Sequence, residues 1–429
     1  MNISRLIMII MALALLSSGL YAADDALVKQ GDTLTLQQCI QTALRKHPGV
    51  MASTGALEAA RSRIGQAQSN YYPQINLSAG YSRISPAPGS AASIGGDYNQ
   101  YSAGVSLSQD LYDFGKTSAN TKIQESYTEA AGADLMDTEA RITLAVKLAY
   151  YNVLRAKRSL EVAAETVRQN RQHLDQTEAF FKVGTRPKYD VIASEVNLSN
   201  ARLNHIRAEN ALNLALASLN NAMGLSEAGQ YDIEDNLAFV RFGITFEQAL
   251  ARAYDNRPDM KSASAKRTAA EKAVEFAGAG YYPVLTGNAA YNRSAEEFPL
   301  EQSWNAGVTL SFPLFNGFLT KSQVQEARAN LKAAKANEDL LRQGIYLDVR
   351  QALLNLRQAE DSIQTAELTV KQATENLDIA NGRYSAGVGG PIEVTDAQVL
   401  YGNAKLTLIQ ALSDYKVAVA SIEKAMGDK

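Results

Sequence analysis

Two rhythms of hydrophobic and polar positions run along the chain. The first has period two and occurs in four short stretches. In one, Ile75, Leu77, Ala79 and Tyr81 share a face, with Asn76, Ser78, Gly80 and Ser82 opposite. In the next, Tyr101, Ala103, Val105 and Leu107 oppose Ser102, Gly104, Ser106 and Ser108. The third sets Leu285, Ala289 and Tyr291 against Thr286, Asn288 and Asn292. The fourth sets Trp304, Ala306, Val308, Leu310 and Phe312 against Ser303, Asn305, Gly307, Thr309 and Ser311. Alternation of this kind puts every second side chain on one face of a strand. About ten residues with aromatics near the ends suit a hairpin that crosses a bilayer. A soluble sheet with one wet face would alternate in the same way. Against it stands the flanking sequence, which offers no further strands for such a sheet to join.

The second rhythm is helical. Val146, Ala149, Val153, Ala156, Leu160, Ala163, Val167, Leu174 and Phe181 recur at steps of three, four or their sum. The later series Val349, Ala352, Leu356, Ala359, Ile363, Ala366, Val370, Ala373, Leu377, Ala380 and Tyr384 keeps the same phase. Alternating threes and fours define a coiled-coil seam, and its many alanines imply close helix approach. From Lys116 to about Lys182 there is no proline, and a helix of that length reaches about 100 Å. The stretch from Leu319 to about Ser385 is as long. A compact globule has no use for such helices; a tube or stalk does. Each ends in a turn, "FKVGTRPKYDV" from Phe181 and "YSAGVGGPIEV" from Tyr384. There Gly184 and Gly387 can take the left-handed conformation that closes a helix, and Pro187 and Pro391 can open the next.

The two rhythms are written twice. "LQQCIQTALRKHPGVMAS" from Leu36 aligns with "FEQALARAYDNRPDMKSA" from Phe246, and Tyr71-Tyr72-Pro73 with Tyr281-Tyr282-Pro283. "AGVSLSQDLYDFG" from Ala103 aligns with "AGVTLSFPLFNGF" from Ala306 at a spacing seven residues shorter. The difference falls in the "SPAPGSAASIGGD" loop, Ser85 to Asp97. We therefore expect a first repeat over 23–235, with a hairpin at 71–112 and a turn near 184. A second follows over 236–429, with a hairpin at 281–315 and a turn near 387. The short segments between the copies, "GLSEAGQYDIEDNLAFVRFGITF", read as a belt around the helices.

The N-terminus changes the setting. "MNISRLIMIIMALALLSSGLYAADD" has a basic start, an apolar run from Leu6 to Leu16 and small residues up to Ala22 and Ala23. That is the form of a secretory signal over 1–22, too short to span a bilayer. The 429 residues contain a single cysteine, Cys39, so no internal disulfide staples an exported chain. A net charge of -3 gives no support for a nucleic-acid partner. No later apolar run is long enough for a transmembrane helix, so any crossing must be made by strands in a closed barrel. Four strands cannot close one, because the smallest transmembrane barrels have about eight. Open edges in lipid would leave backbone groups unpaired at several kcal/mol each. The chain must oligomerise. A dimer would give a barrel filled by its own side chains and a trimer one wide enough for water. The inward Ser, Gly, Asn and Thr favour the trimer.

The duplicated layout, the "LYDFG" and "LFNGF" stretches after each hairpin, and the turns "KVGT" and "YSAGV" resemble the TolC family of outer-membrane channels. The resemblance covers essentially the whole mature chain. It implies an α+β membrane fold: a homotrimer with a 12-stranded barrel in outer-membrane lipid, continued by a long periplasmic α-helical barrel. It also implies the role of exit duct in an efflux pump or type I secretion system, with a periplasmic adaptor, an inner-membrane transporter and no cofactor. Several members are lipidated at an N-terminal cysteine, and this sequence departs from those. For the periplasmic gate the resemblance points to Glu393, Asp396, Tyr384 and Asp190. For adaptor docking it points to Val183, Gly184 and Thr185 in one turn and Ala386, Gly387 and Val388 in the other. Where the family often carries a latching Arg in the second turn this chain has Gly389, and Arg186 holds the equivalent place in the first. Acids in a first helical turn also serve simply to stabilise the helix dipole.

Other classes fit less well. His47, His173 and His205 lie on separate helical stretches, where they read as solvated residues, and no catalytic or metal-ligand spacing surrounds them. "GVGG" before Pro391 lacks the Lys-Ser/Thr of a phosphate loop and follows a helix rather than a strand. A coiled-coil scaffold without a pore is the alternative to a channel.

Overall fold

The structure is a computed structural model that describes residues 31, 33–85, 97–226 and 231–428. The expected signal at 1–22 and most of the loop after Ser85 lie outside these residues. In chain order the elements are β1 (Thr33–Leu34), α1 (Leu36–Lys46), α2 (Pro48–Gln68), β2 (Gln74–Ile84), β3 (Tyr98–Tyr112), α3 (Lys116–Lys182) and α4 (Lys188–Met223). They continue with β4 (Asp232–Ile233), α5 (Phe246–Asn256), α6 (Pro258–Ala279), β5 (Val284–Ala295), β6 (Glu301–Ser311), α7 (Leu319–Ser385) and α8 (Pro391–Met426).

The four long strands form one antiparallel sheet in the order β2-β3-β5-β6. The register carries the alternation from strand to strand. Leu77, Val105, Tyr291 and Trp304 make one row across the sheet, and Ser78, Gly104, Asn292 and Ser303 make the next on the other face. One face is therefore apolar and the other hydroxyl- and amide-rich. The apolar face is bare: Leu77 is 80% exposed and Trp304 76%. Both β2 and β6 are hydrogen-bonded on one side only. Among the described residues no helix is long and apolar enough to cross a membrane.

Below the sheet the helices form four rods. Two are α3 and α7, each 67 residues and about 100 Å long. The other two are built in pieces. The C-terminus of α4 abuts the start of α2, and that of α8 abuts the start of α6. Gly224 and Gly427 make these abutments possible. Both have positive φ (73° and 76°), and a Cβ on either would stand 2.7 Å from the backbone of His47 or Arg257. Such contact leaves room only for hydrogen, and the left-handed conformation favours glycine as well. Opposite them, Pro48 and Pro258 start α2 and α6, where a missing N–H is harmless. Buried Arg257 ties one junction to α7 through Asp348 (3.0 Å), while Asp259 takes its other two nitrogens (3.0 and 2.6 Å).

The segment between the copies wraps the rods at this level. β1 and β4 pair in parallel. Buried Tyr150 on α3 donates to Glu234 O (2.6 Å), and Tyr415 on α8 donates to Val240 O (2.6 Å) and accepts from Phe242 N (2.9 Å). Lys157 pairs with Asp232 and Arg158 with Asp235. The short helices α1 and α5 dock here too, each started by a reciprocal Thr–Gln capping box, Thr35/Gln38 and Thr245/Gln248. The two largest apolar clusters sit at this waist, one around Val146, Tyr150 and Leu154, the other around Val349, Leu356 and Ile363.

Candidate functional site

At the end of the rods far from the sheet, α3 turns into α4 and α7 into α8. Both turns close as expected. Gly184 and Gly387 have φ of 75°. Gly184 N donates to Phe181 O (2.9 Å) and Thr185 N to Phe180 O (3.0 Å), while Gly387 N donates to Tyr384 O and Val388 N to Arg383 O (3.0 Å each). The turn residues are exposed, Val183 at 71% and Val388 at 69%.

One buried tyrosine joins the turns. Tyr384, the last seam residue of α7, is 1% exposed. It lies among Leu377, Ala380, Val394 and Ala397, with Phe180 edge-on to its ring at 5.6 Å. The His173 ring approaches to 5.2 Å, and the Arg186 guanidinium lies over the ring at 5.5 Å. The Thr177 hydroxyl donates to His173 O (2.8 Å), so the Tyr384 hydroxyl donates to Thr177 Oγ1 (3.3 Å). Ser194 Oγ donates to Asp190 O (2.9 Å) and stands 3.4 Å from Thr177 Oγ1. Tyr384 thus connects through Thr177 and Ser194 to the α4 turn that carries buried Asp190.

Arg186 makes the second connection, its Nη2 donating to Gly389 O at 2.8 Å. Gly389 is packed so that a Cβ would meet Tyr384 N at 3.0 Å and the Arg383 carbonyl carbon at 3.1 Å. A side chain at 389 would require the Arg383–Tyr384 backbone to give by a few tenths of an ångström. The cation that bonds the Gly389 carbonyl comes from the first copy. Arg383 also bonds within its own turn, to Glu393 Oε2 (3.2 Å) and Val388 O (3.5 Å). The Arg383 hydrogen bond, with that of Gly390 N, holds the Glu393 carboxyl below its ordinary range.

The structure therefore links Tyr384 to the Asp190 carbonyl through Thr177 and Ser194 and leaves Glu393 and Asp396 on the exposed side of α8. One expectation is corrected: His173 is 5% exposed rather than solvated. Burial pushes its pKa below the ordinary value, a shift opposed by the charge of Asp190, and Nε2 has no hydrogen-bond partner among the described residues. Sequence reasoning missed His173, Thr177, Ser194 and Arg383. A signal existed for Thr177: with Asn170 it fills the two gaps in the α3 seam between Val167 and Phe181. Both polar residues are buried, whereas Phe181 is 43% exposed. Among the described residues no cluster of His, Cys, Asp and Glu could hold a metal ion.

Comparison with known proteins agrees with this architecture. A family model described as outer membrane efflux protein matches residues 39–225 and 249–428. The outer membrane protein TolC of Vibrio cholerae is 26% identical, over 91% of this chain and 90% of its own length. Protein CyaE of Bordetella pertussis is 28% identical, over 92% and 85%. Among solved structures, CusC superposes with a TM-score of 0.80 at 19% identity, covering 92% of each chain. The Campylobacter jejuni CmeC outer membrane channel gives 0.80 at 19%, covering 91% of this chain and 85% of its own. At such identities the structures speak for the fold.

Proposed function

The chain belongs to the outer membrane efflux protein family, and from that premise we propose how three copies work as one channel. It is an outer-membrane exit duct for efflux or secretion, with its helical part in the periplasm. The observation that carries the assembly is the sheet: four strands, one bare apolar face, one polar face and two open edges. Eleven residues in β2 and β6 rise about 25 Å when tilted by about 45°, which matches the apolar band of outer-membrane barrels. Joining β6 of one copy to β2 of the next pairs every edge, and three copies give twelve strands around a wet lumen. The apolar rows then meet lipid, and the Ser, Asn and Thr rows line the pore.

Within that trimer we read 23–235 and 236–429 as the two copies of one repeat. The tip is the periplasmic gate, with Tyr384 and Asp190 in the closing contact and Glu393 and Asp396 as rings of carboxylate around the axis. The exposed turns, Val183-Gly184-Thr185 and Ala386-Gly387-Val388, receive a periplasmic adaptor that links the duct to an inner-membrane transporter. This reading gives the chain a transport role and no catalytic step. Crosslinking in intact cells tests it: a trimer ladder in the outer-membrane fraction is expected, and a soluble periplasmic monomer would sink the channel in favour of a pore-free scaffold.

A further inference from the structure

Directly below the sheet, α3, α6 and α7 line an open surface hollow of about 570 Å³, bordered by Phe114, Lys122, Glu275, Tyr282, Val324 and Arg328 among others. Its orientation follows from the sheet. Leu111 lies where a Cβ on Gly287 would point (3.4 Å), and Gly287 belongs to the apolar row set of Leu285, Ala289 and Tyr291. Tyr112 pairs with Leu285 on that strand. Phe114 meets Tyr112 edge-on at 4.6 Å and stacks on Tyr282 at 5.4 Å with ring planes 10° apart. The aromatic floor of the hollow is therefore a continuation of the bare apolar face. It sits where a bilayer covering that face would end.

The charges of the hollow are unbalanced. Glu275 is occupied by Lys272 (2.7 Å). Lys122 on α3 and Arg328 on α7, the two helices that flank α6, have no ion-pair partner among the described residues, and the ammonium of Lys116 stands nearby over Phe276. A stacked aromatic floor level with the membrane edge and two free cations beside it call for an amphiphile with an anionic head.

We propose that this hollow seats the phosphate of a phospholipid headgroup between Lys122 and Arg328, with the acyl chains running up past Phe114, Tyr112 and Leu111. The assignment rests on the reading that the apolar face meets lipid. Each cation adds to the attraction of an anionic headgroup, and an aromatic at the interface holds the glycerol level. The site is tested on the intact trimer, purified and exchanged into nanodiscs of phosphatidylglycerol mixed with phosphatidylcholine, with bound lipid counted by native mass spectrometry. One tightly held phosphatidylglycerol per chain is expected. Lys122→Gln with Arg328→Gln should lower its affinity about thirtyfold, while Lys182→Gln at the far tip should not. Lipid retention by the Lys122/Arg328 variant overturns the site, as does displacement of the lipid by millimolar inorganic phosphate. A wild-type trimer that conducts in a planar bilayer yet holds no phospholipid overturns the site and leaves the channel intact. A chain that never reaches the outer membrane overturns both.

Discussion

Replacing Arg186 by alanine tests the tip most directly, because one side chain makes two of the contacts that join the turns. Its Nη2 donates to Gly389 O at 2.8 Å, and its guanidinium lies over the Tyr384 ring. A hydrogen bond from a charged donor contributes about 1.5–3 kcal/mol net. Arg186 is half-buried, so the lower end applies. The cation–π contact adds about 0.5–1 kcal/mol at such a site. The alanine variant should therefore lose about 2 kcal/mol of closure per chain. If three chains close together the trimer loses about 6 kcal/mol, enough to move a population from about 99:1 closed to about 1:99. The assay is single-channel conductance in a planar bilayer, with trimer integrity checked on unheated gels. Wild-type channels should rest closed and Arg186→Ala channels should rest open. Arg186→Lys should fall between, since one ammonium cannot both reach the carbonyl and cover the ring. Arg186→Ala trimers that conduct like wild type would refute the latch.

The remaining predictions concern other parts of the tip and the waist. His173 is held neutral by burial, with Asp190 on α4, Tyr384 on α7 and the half-buried Arg186 around it. A depressed pKa means that closure is fully supported above the ordinary histidine value of about 6.5 and weakens as pH falls below it. Conductance should therefore rise between pH 7 and pH 5, and His173→Gln should abolish that rise. Glu393→Gln with Asp396→Asn should reduce cation selectivity and block by multivalent cations from the periplasmic side, since charged rings set both. Unchanged selectivity would return these acids to the role of helix-terminal charges. Replacing Gly184 or Gly387 by a bulky residue should stop export while the trimer survives, and export at normal levels would remove the docking role. Gly224→Ala should lower the temperature at which the trimer dissociates, because a Cβ there strikes His47 and the left-handed backbone alone costs about 1 kcal/mol. Gly184→Ala, with open space around it, should cost only the latter.

What could be read from the sequence was what repeats. Period-two alternation located the four strands to within a few residues, and the register keeps their faces aligned across the sheet. Both long helices end at Lys182 and Ser385, where the turn glycines follow. In α7 the seam positions Val349, Leu356, Ile363, Leu377 and Tyr384 are all buried. The tip was less legible because its contacts run between copies that are far apart in sequence. Nothing local in "TRPKYD" says that Arg186 reaches the carbonyl of Gly389, because a backbone acceptor has no sequence signature. Likewise His173 reads as a solvated helix residue until Tyr384 of the other coiled coil covers it. The end-to-end helix junctions were equally hidden. A glycine after a helix announces a cap, but not that another helix begins against it.

The two copies are alike at the waist and different at the tip, and the proposed gate rests on that difference. At the waist the junctions repeat, each a left-handed glycine against an abutting helix that starts with proline, while Tyr150 and Tyr415, from non-equivalent helices, pin the belt. Met223 and Met426, beside those glycines, are fully buried within the two large clusters. At the tip the apolar cluster shrinks to Leu377, Ala380, Tyr384, Val394 and Ala397, and across the copies it meets one aromatic, Phe180, beside polar contacts. Local opening follows the density of buried apolar contact, so the tip should open long before the waist loosens. Identical turns would offer two donors or two acceptors to each other. Here the first copy supplies the cation, Arg186, and the second supplies the carbonyl and the ring, Gly389 and Tyr384. The contact is also internal to each chain. In the proposed gate, opening would move α7 and α8 against α3 and α4 within one protomer, about the junctions at Gly224 and Gly427, without breaking the trimer.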